Sequence, residues 1–329
     1  MKLVSMLFLG ISLYGADWLV VANKGDNAVG IIDPAAGKQV AEVPEGGVTV
    51  HELIASHDGR LVYAPIYGNS GVGKPGTDGD TIIAIDLAGR KVVNTLKFDH
   101  GVRPHCPLIG PKDGMLYVTT EIDKTVSIID PKTFKVVATI PTTQPESHML
   151  VLSHDGRRGY TANVGPGTVS VLDIAGRKTL TVIPISKETQ RIAISNDDKW
   201  VFTSDQTKPQ LAVIDTASDK VARWVSLPGR GYGGAVTPDG RYLVIACPEA
   251  NKVAAVDLKT WEVAHTVDTA KAPQEVIVRP DGKFAYVSSS AEGNIGEISL
   301  TDWKLTKTIK AGKTADGLAW VPTGLPPGR

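Results

Sequence analysis

The chain repeats one structural unit seven times, and this repeat constrains the fold more than any other feature. Each unit has an apolar strand, a tight polar turn, a second strand, a polar loop, a third strand and a fourth strand. First strands are predicted to begin near positions 51, 105, 148, 190, 233, 274 and 316. The period is about 42 residues after a longer second unit, and four short strands at this period are typical of propeller blades. The sequence therefore predicts an all-β fold, a seven-bladed β-propeller of four-stranded blades.

Two kinds of turn punctuate each unit. A pair of turn-forming residues separates the first and second strands in six units, and an Asp ends the third strand in every unit except the last, where Ser299 does. The first pairs are Asp58 and Gly59, Asp113 and Gly114, Asp155 and Gly156, Asp197 and Asp198, Asp239 and Gly240, and Asp281 and Gly282. The third strands are predicted to end at Asp33, Asp86, Asp130, Asp173, Asp215, Asp257 and Ser299. Asp and Gly suit tight hairpins because both tolerate turn conformations and Asp can cap its own turn.

The two ends of the repeat complement each other. Trp18 begins a second strand without a first strand before it, and the segment 317–321 is a lone first strand. We expect 317–321 to complete the blade formed by 18–43, because this closure removes two open sheet edges.

The strand pair LYVTT (116–120) and TVSIID (125–130) resembles the YVTN-type β-propeller repeat family. The resemblance covers essentially the whole chain after the first residues. It implies the propeller fold but does not choose a function, since the family includes cell-surface proteins, subunits of periplasmic amine dehydrogenases, and relatives of lactonase and lyase propellers.

The first residues resemble an export signal. Lys2 precedes an apolar run, 3–13, and small residues follow before Asp17. The run is too short to span a bilayer, and cleavage is expected near Ala16. We predict a signal peptide at 1–16, a single propeller domain at 17–329, no membrane span, and a periplasmic or secreted protein; a buried first strand is the alternative interpretation of the apolar run.

The balance of charge argues against nucleic acid as a partner, and the cysteines are not expected to form a disulfide. Lys and Arg together number 35, as do Asp and Glu, so no basic field favours nucleic acid. Cys106 and Cys247 fall in different units, and we expect two free thiols. A monomer is expected.

Histidines mark the place where the units differ. His51, His105 and His148 begin the first strands of three consecutive units, at one register around the predicted channel. Three imidazoles with an open fourth position are typical of a catalytic divalent metal, most often zinc, with copper or iron as alternatives. The other interpretation is a polar rim that holds water or an anionic ligand.

Four further residues at this rim are candidate catalytic groups. Glu52 and Glu121 could serve as a general base, Arg191 could hold a carboxylate or phosphate, and Tyr232 could donate to a developing oxyanion. For each one alone, packing or solvation is the alternative. The same predicted surface also carries Tyr67, Arg103, Glu146 and Arg230.

The second unit contains an insertion at 68–80, rich in Gly, between its second and third strands. Long loops in compact domains are often functional. We expect this loop to overhang the channel beside the histidines as a lid or a partner-binding loop, with a passive surface excursion as the alternative.

Two classes of function follow. The first is an exported enzyme with lactonase, lyase or isomerase-type chemistry on a small polar molecule, assisted by the metal. The alternative is a non-catalytic ligand-binding or protein-scaffolding propeller, for example a partner of a periplasmic dehydrogenase. The chain has no G-x-S-x-G, H-E-x-x-H, phosphate-binding or haem-attachment motif, so the sequence leaves open whether it is an enzyme.

Overall fold

The computed structural model describes residues 17–321 as a ring of seven four-stranded antiparallel sheets. This confirms the predicted seven-bladed propeller. The proposed signal peptide at 1–16 lies outside the described residues. Among the described residues, no helix is long and apolar enough to cross a membrane.

The first three blades contain the first eleven strands of the chain. Blade 1 contains β1 (Trp18–Asn23), β2 (Ala28–Asp33) and β3 (Lys38–Pro44), with a 3-10 turn at Lys24–Asp26. Blade 2 contains β4 (Ile54–Ala55), β5 (Leu61–Gly68), β6 (Asp78–Asp86) and β7 (Lys91–Lys97). Blade 3 contains β8 (Pro104–Ile109), β9 (Leu116–Thr120), β10 (Thr125–Asp130) and β11 (Lys135–Pro141).

The remaining blades follow the same pattern. Blade 4 contains β12 (Ser147–Leu152), β13 (Arg158–Asn163), β14 (Thr168–Asp173) and β15 (Lys178–Pro184). Blade 5 contains β16 (Thr189–Ile194), β17 (Trp200–Asp205), β18 (Gln210–Asp215) and β19 (Lys220–Ser226). Blade 6 contains β20 (Gly234–Val236), β21 (Tyr242–Cys247), β22 (Lys252–Asp257) and β23 (Glu262–Asp268), with a 3-10 turn at Pro248–Ala250. Blade 7 contains β24 (Pro273–Val278), β25 (Phe284–Ser289), β26 (Asn294–Ser299) and β27 (Lys304–Lys310).

The last strand closes the ring. β28 (Ala315–Val321) pairs antiparallel with β1, so that the order in blade 1 is β28, β1, β2, β3. Trp320 lies opposite Leu19, and Leu318 lies opposite Val21. The predicted closure is therefore confirmed, and both β1 and β28 gain the pairing partner that an open edge would lack.

The two turn types have the backbone that their sequence predicts. The second residue of each first-to-second-strand turn has a positive φ, for example 67° at Gly59, 71° at Gly156 and 60° at Asp198. The Asp that ends a third strand accepts a backbone hydrogen bond within its turn, as Asp33 Oδ1 does from the Ala36 N–H at 2.8 Å. Local chemistry thus fixes where the strands reverse.

Apolar side chains fill the spaces between blades. One continuous core joins blades 3, 4 and 5 and includes Tyr160, Val169 and Val201. Cys106 also lies in this core, and Cys247 packs in the core between blades 5 and 6. Both cysteines are free, as predicted, and both are buried.

Irregularities in the inner strands aim polar side chains toward the channel. In β12 the pairing with β13 skips a residue, leaving His148 as the extra residue between Ser147 and Met149. In β16 the pairing with β17 skips Arg191, which has a φ of 55°. A β-bulge breaks the strict alternation of faces, so consecutive residues in an inner strand can both contribute to the channel.

Candidate functional site at the channel mouth

An arginine from blade 5 crosses the centre of the ring. Arg191 is 3% exposed, and its Nη1 donates to Glu52 of the connection into blade 2 and to Glu275 of blade 7, the latter at 2.8 Å. Its Nη2 lies 3.7 Å from Asp316 Oδ1 in blade 1, and its guanidinium lies over the Tyr232 ring at 4.3 Å. We call these five residues the arginine hub. The hub links blades that are far apart in sequence.

Burial and charge together set the protonation of the hub. Burial raises the pKa of Glu275 to about 8, although the Arg191 charge opposes the shift. Burial also raises the pKa of Glu52, against the same charge. Burial would raise the pKa of Asp316 as well, but Lys24 and Arg191 outweigh it and hold that pKa below its usual value. The hub therefore has one firmly ionised carboxylate and two carboxyls that bind protons more tightly than usual.

Beside the hub, the three predicted histidines lie together with a tyrosine. The ring centroids of His105 and His148 are 3.5 Å apart with 30° between their planes, and those of His51 and His105 are 5.4 Å apart. The Tyr67 ring is 4.7 Å, 5.2 Å and 5.6 Å from those of His51, His105 and His148. We call these four residues the ring cluster. The three histidine rings and the Tyr67 ring thus lie side by side in the structure.

All three imidazoles are held neutral. Burial lowers the pKa of His51 to about 3, and the Lys24 charge acts in the same direction. Burial and the neighbouring imidazole of His148 lower the pKa of His105 well below its usual value. Burial also lowers the pKa of His148, although Glu121 opposes it. Neutral rings can stack closely, whereas two imidazolium ions in such contact would repel each other.

Glu121 receives hydrogen bonds from three sides. Its Oε2 accepts from the Tyr67 hydroxyl at 2.7 Å and from His148 Nδ1 at 3.2 Å, and its Oε1 accepts from Arg103 Nη1 at 3.4 Å. Burial alone would raise the pKa of Glu121, but the His148 hydrogen bond and the Tyr67 and Arg103 contacts outweigh it and lower that pKa. A carboxylate so fully paired is a poor general base, because accepting a proton would cost it these bonds.

The insertion predicted from the sequence forms a loop, 69–77, and hydrogen bonds from Arg103 hold this loop in place. Arg103 Nε donates to Asp78 Oδ1 at 2.6 Å, and its Nη2 donates to the Lys74 carbonyl at 2.7 Å. Glu146 accepts from the Gly165 N–H at 2.7 Å and lies against Gly73 at the loop tip. The loop therefore reaches from blade 2 to the segment that precedes His148.

The other predicted rim residue, Arg230, lies outside the hub. It borders a cavity of about 490 Å³ formed by loops at the same end of blades 5 and 6, lined also by Gln206, Pro209, Pro228 and Glu249. Arg230 Nη2 donates to Glu249, and Nη1 donates to the Gln206 carbonyl at 2.8 Å. With its side chain 43% exposed, Arg230 is accessible from solvent in a way that Arg191 is not.

Sequence reasoning missed three charged members of this region: Lys24, Glu275 and Asp316. Lys24 Nζ lies 3.1 Å from Asp316 Oδ2. Glu275 and Asp316 occupy the same first-strand positions as the chosen residues, so comparing every charged residue at both registers would have found them. Lys24, in a loop of blade 1, has no comparable signal in the repeat.

Comparisons with known proteins identify the fold and one partial family resemblance. Residues 111–233 match the family model "Cytochrome D1 heme domain". A chain of "Kuenenia stuttgartiensis Hydrazine Synthase" is 20% identical, with a TM-score of 0.74 over 91% of this chain and 99% of that chain. A structure of "Dihydro-heme d1 dehydrogenase NirN in complex with DHE" is 16% identical, with a TM-score of 0.67 over 93% of this chain and 76% of that one. No curated protein matches the sequence.

The predicted divalent metal at His51, His105 and His148 is wrong. Within residues 17–321, no group of three or more His, Cys, Asp or Glu residues is arranged to hold a metal ion. The physical reason is orientation, because His105 and His148 lie nearly face to face rather than aiming nitrogens at one point about 2 Å away. The family model that matches residues 111–233 is described as a haem domain, not as a site for zinc, copper or a lone iron ion.

The channel mouth does not fit a haem either. An iron-bound macrocycle needs a flat cleft and an axial side chain that can reach the iron. His105 Nδ1 is a suitable nitrogen and has no hydrogen-bond partner among the described residues, but the residue is 1% exposed and its ring is covered by His148. The arginine hub fills the neighbouring space. The chain is therefore a seven-bladed propeller in which polar side chains of the chain itself fill the channel mouth. Over residues 111–233 it is similar to the cytochrome d1 haem domain.

Proposed function

We propose that this chain is a non-catalytic binding propeller that holds a small polar or anionic ligand at the mouth end of its ring. The observation that carries the proposal is the state of the predicted catalytic groups. Glu52 and Arg191 are buried against each other, Tyr232 lies under the same guanidinium, and Glu121 is fully hydrogen-bonded. A reacting substrate would have to displace these internal partners before meeting any of them.

The accessible cavity beside Arg230 supports an anionic ligand. Arginine binds carboxylates and phosphates through paired hydrogen bonds, and an exposed ion pair such as that with Glu249 is weak enough to exchange. Blades 5 and 6 would supply the walls of this site from their mouth-end loops. We also propose that the protein is exported to the periplasm and that its repeats are of the YVTN type. A protein partner would bind the loops at the mouth end.

A thermal-shift titration with inorganic phosphate and citrate tests the binding site. Because a ligand that binds only the folded state stabilises it by about 2.7 kcal/mol at a hundredfold excess over Kd, we expect a dose-dependent rise in Tm. Arg230→Gln should abolish the rise. Arg157→Gln, an exposed arginine at the opposite end of blade 4, is the matched control and should keep it.

A parallel assay decides between binding and catalysis. The protein is incubated with γ-butyrolactone, and a pH-stat measures the acid that hydrolysis releases. The rate of acid release should be the same with and without the protein. Hydrolysis by the wild type that disappears in Glu121→Gln would establish the enzyme and overturn the proposal. An anion-dependent rise in Tm that survives Arg230→Gln would remove the Arg230 cavity as the site.

A further inference from the structure

A cavity of about 370 Å³ lies between blades 3 and 4, among the turns at the end of the ring opposite the channel mouth. Its blade 3 wall includes Met115, Tyr117 and Ile128, and its blade 4 wall includes Leu152 and Ile174. Ligand cavities in proteins commonly measure about 300–1,000 Å³ and are mostly apolar. This cavity therefore has the size and the walls of a small-molecule site, and it is remote from the packed rings of the channel mouth.

The cavity is open because blade 4 lacks a side chain that fills the same seam between other blades. The residue just before the fourth strand has a positive φ in blades 3, 4, 6 and 7. In three of these blades it is aromatic and packs on the preceding blade: Phe134 on Tyr63, Trp261 on Phe202, and Trp303 on Tyr242. In blade 4 it is Arg177, which is exposed and lines the cavity. An arginine in place of the aromatic ring therefore leaves this seam unfilled.

A glycine makes the blade 4 wall recede. Gly159 lies opposite Leu152 in the pairing of β12 with β13, so the two residues share one face of the sheet. A Cβ at Gly159 would lie 3.1 Å from Ile174 Cδ1 and 3.3 Å from Leu152 Cδ2. Both apolar side chains therefore lie close over the glycine, in space that a larger residue would take, and the space in front of them stays open.

The rim of the cavity carries two cations. Lys112 and Arg177 both line it, and neither forms an ion pair with a described residue. Asp113 is the one carboxylate in the lining, and it accepts from the Tyr117 hydroxyl at 2.7 Å and from the Met115 N–H at 3.0 Å. Burial and the Asp113 hydrogen bond raise the pKa of Tyr117, and the Arg177 charge opposes them. Two cations against one internally bonded carboxylate leave net positive charge beside apolar walls.

We propose that this cavity binds a small amphipathic anion, an alkyl carboxylate whose chain lies between blades 3 and 4 and whose head lies at the rim with Lys112 and Arg177. The guanidinium fork matches a carboxylate, and the ammonium adds a second charge. Burial of the alkyl chain against apolar side chains supplies the rest of the affinity. The site is at the opposite end of the ring from the Arg230 cavity and does not depend on the proposed function.

Equilibrium dialysis with radiolabelled octanoate tests the site. The wild type should bind octanoate saturably, with one molecule per chain between blades 3 and 4. Arg177→Trp gives blade 4 the residue that blades 6 and 7 have at this position, so it should fill the cavity and abolish binding. Arg90→Trp is the matched control, since Arg90 has a φ of 52° at the same turn position of blade 2 and does not line the cavity; it should keep binding.

Unchanged octanoate binding by Arg177→Trp, or no saturable binding by the wild type, would overturn the site. If Arg177→Trp does not fold by circular dichroism, Ala175→Phe provides the same comparison, because Ala175 is exposed and lines the cavity. Arg230→Gln should bind octanoate like the wild type. Loss of octanoate binding in Arg230→Gln would assign the anion to the mouth-end cavity instead, so this proposal and the proposed function fail separately.

Two further ligands and one variant test the chemical class. Octanol has the same chain without the charge and should compete with labelled octanoate about tenfold more weakly than unlabelled octanoate does. Hexanoate is two methylenes shorter and should also compete about tenfold more weakly. Lys112→Gln should weaken octanoate binding about tenfold. Equal competition by octanol and octanoate would contradict a site for anions, and equal competition by hexanoate would contradict an alkyl chain held between the blades.

Discussion

Individual residues in the channel carry charges that the fold has to neutralise internally. Arg191 is the clearest example, because burial disfavours its charge while Glu52, Glu275 and Asp316 stabilise it. Replacing a buried ion pair by apolar residues can be neutral, whereas removing one partner leaves the others uncompensated. The hub is thus sensitive to single substitutions for reasons of stability.

Glu45 should make the stability of the folded protein depend on pH. Its Oε2 accepts from the Val50 N–H at 2.9 Å, and burial raises its pKa from 4.5 to about 7 despite that bond. Between those two pH values the folded chain binds the proton more tightly than the unfolded chain, so stability falls as pH rises and the loss is complete above pH 7. Glu45→Gln, which cannot ionise, should stabilise the protein by on the order of 2 kcal/mol more at pH 8 than at pH 5.

Urea unfolding at both pH values measures this difference. Glu42→Gln is the control, since Glu42 is exposed on β3, the strand that ends just before Glu45, and should change stability little at either pH. An equal effect of Glu45→Gln at pH 5 and pH 8 would show that Glu45 is ionised normally in the folded protein.

At the level of strands and turns, the sequence predicts local structure but not the orientation of side chains that meet from different strands. The hairpins were predictable because Asp and Gly act locally, as the positive φ of Gly59 and Asp198 shows. The gathering of His51, His105 and His148 was predictable because the repeat places them at one register. Their ring orientation was not, because it depends on Tyr67 and Glu121 from other strands.

The assembly of the arginine hub could not be predicted from the sequence for a second reason. Strict alternation along a strand predicts that only one of two neighbouring residues faces the channel. The bulge at Arg191 in β16 removes that rule, and Glu275 lies in a similar irregularity of β24. A bulge leaves no dependable mark in one sequence, so the hub had to come from the structure.

At the scale of the whole molecule, the ring depends on one strand. β28 contributes Leu318, Ala319 and Val321 to the core and pairs with β1 along its length. Deleting 317–329 should expose the edge of β1 and uncover these contacts, giving a large loss of Tm and increased light scattering. Trp320→Ala is the comparison, because it removes a ring that stacks on Tyr286 at 5.6 Å and lies under Arg279, but leaves the backbone pairing in place. A deletion no worse than Trp320→Ala would contradict closure by this strand.

We propose that the channel residues stabilise the ring instead of acting on a substrate, and a double-mutant cycle on Arg191 and Glu52 tests this role. Residues kept for function often cost stability, so a substrate-binding Arg191 could be replaced with little loss. We expect Arg191→Met to lower the free energy of unfolding by about 3–5 kcal/mol. Adding Glu52→Gln should recover part of that loss, with a coupling of about 1–3 kcal/mol.

Arg230→Met, in an exposed ion pair, is the control and should cost less than about 1 kcal/mol. We expect a large single effect at Arg191 and a clear coupling to Glu52 in urea unfolding. An Arg191→Met protein as stable as the wild type, with no coupling to Glu52, would contradict this stabilising role.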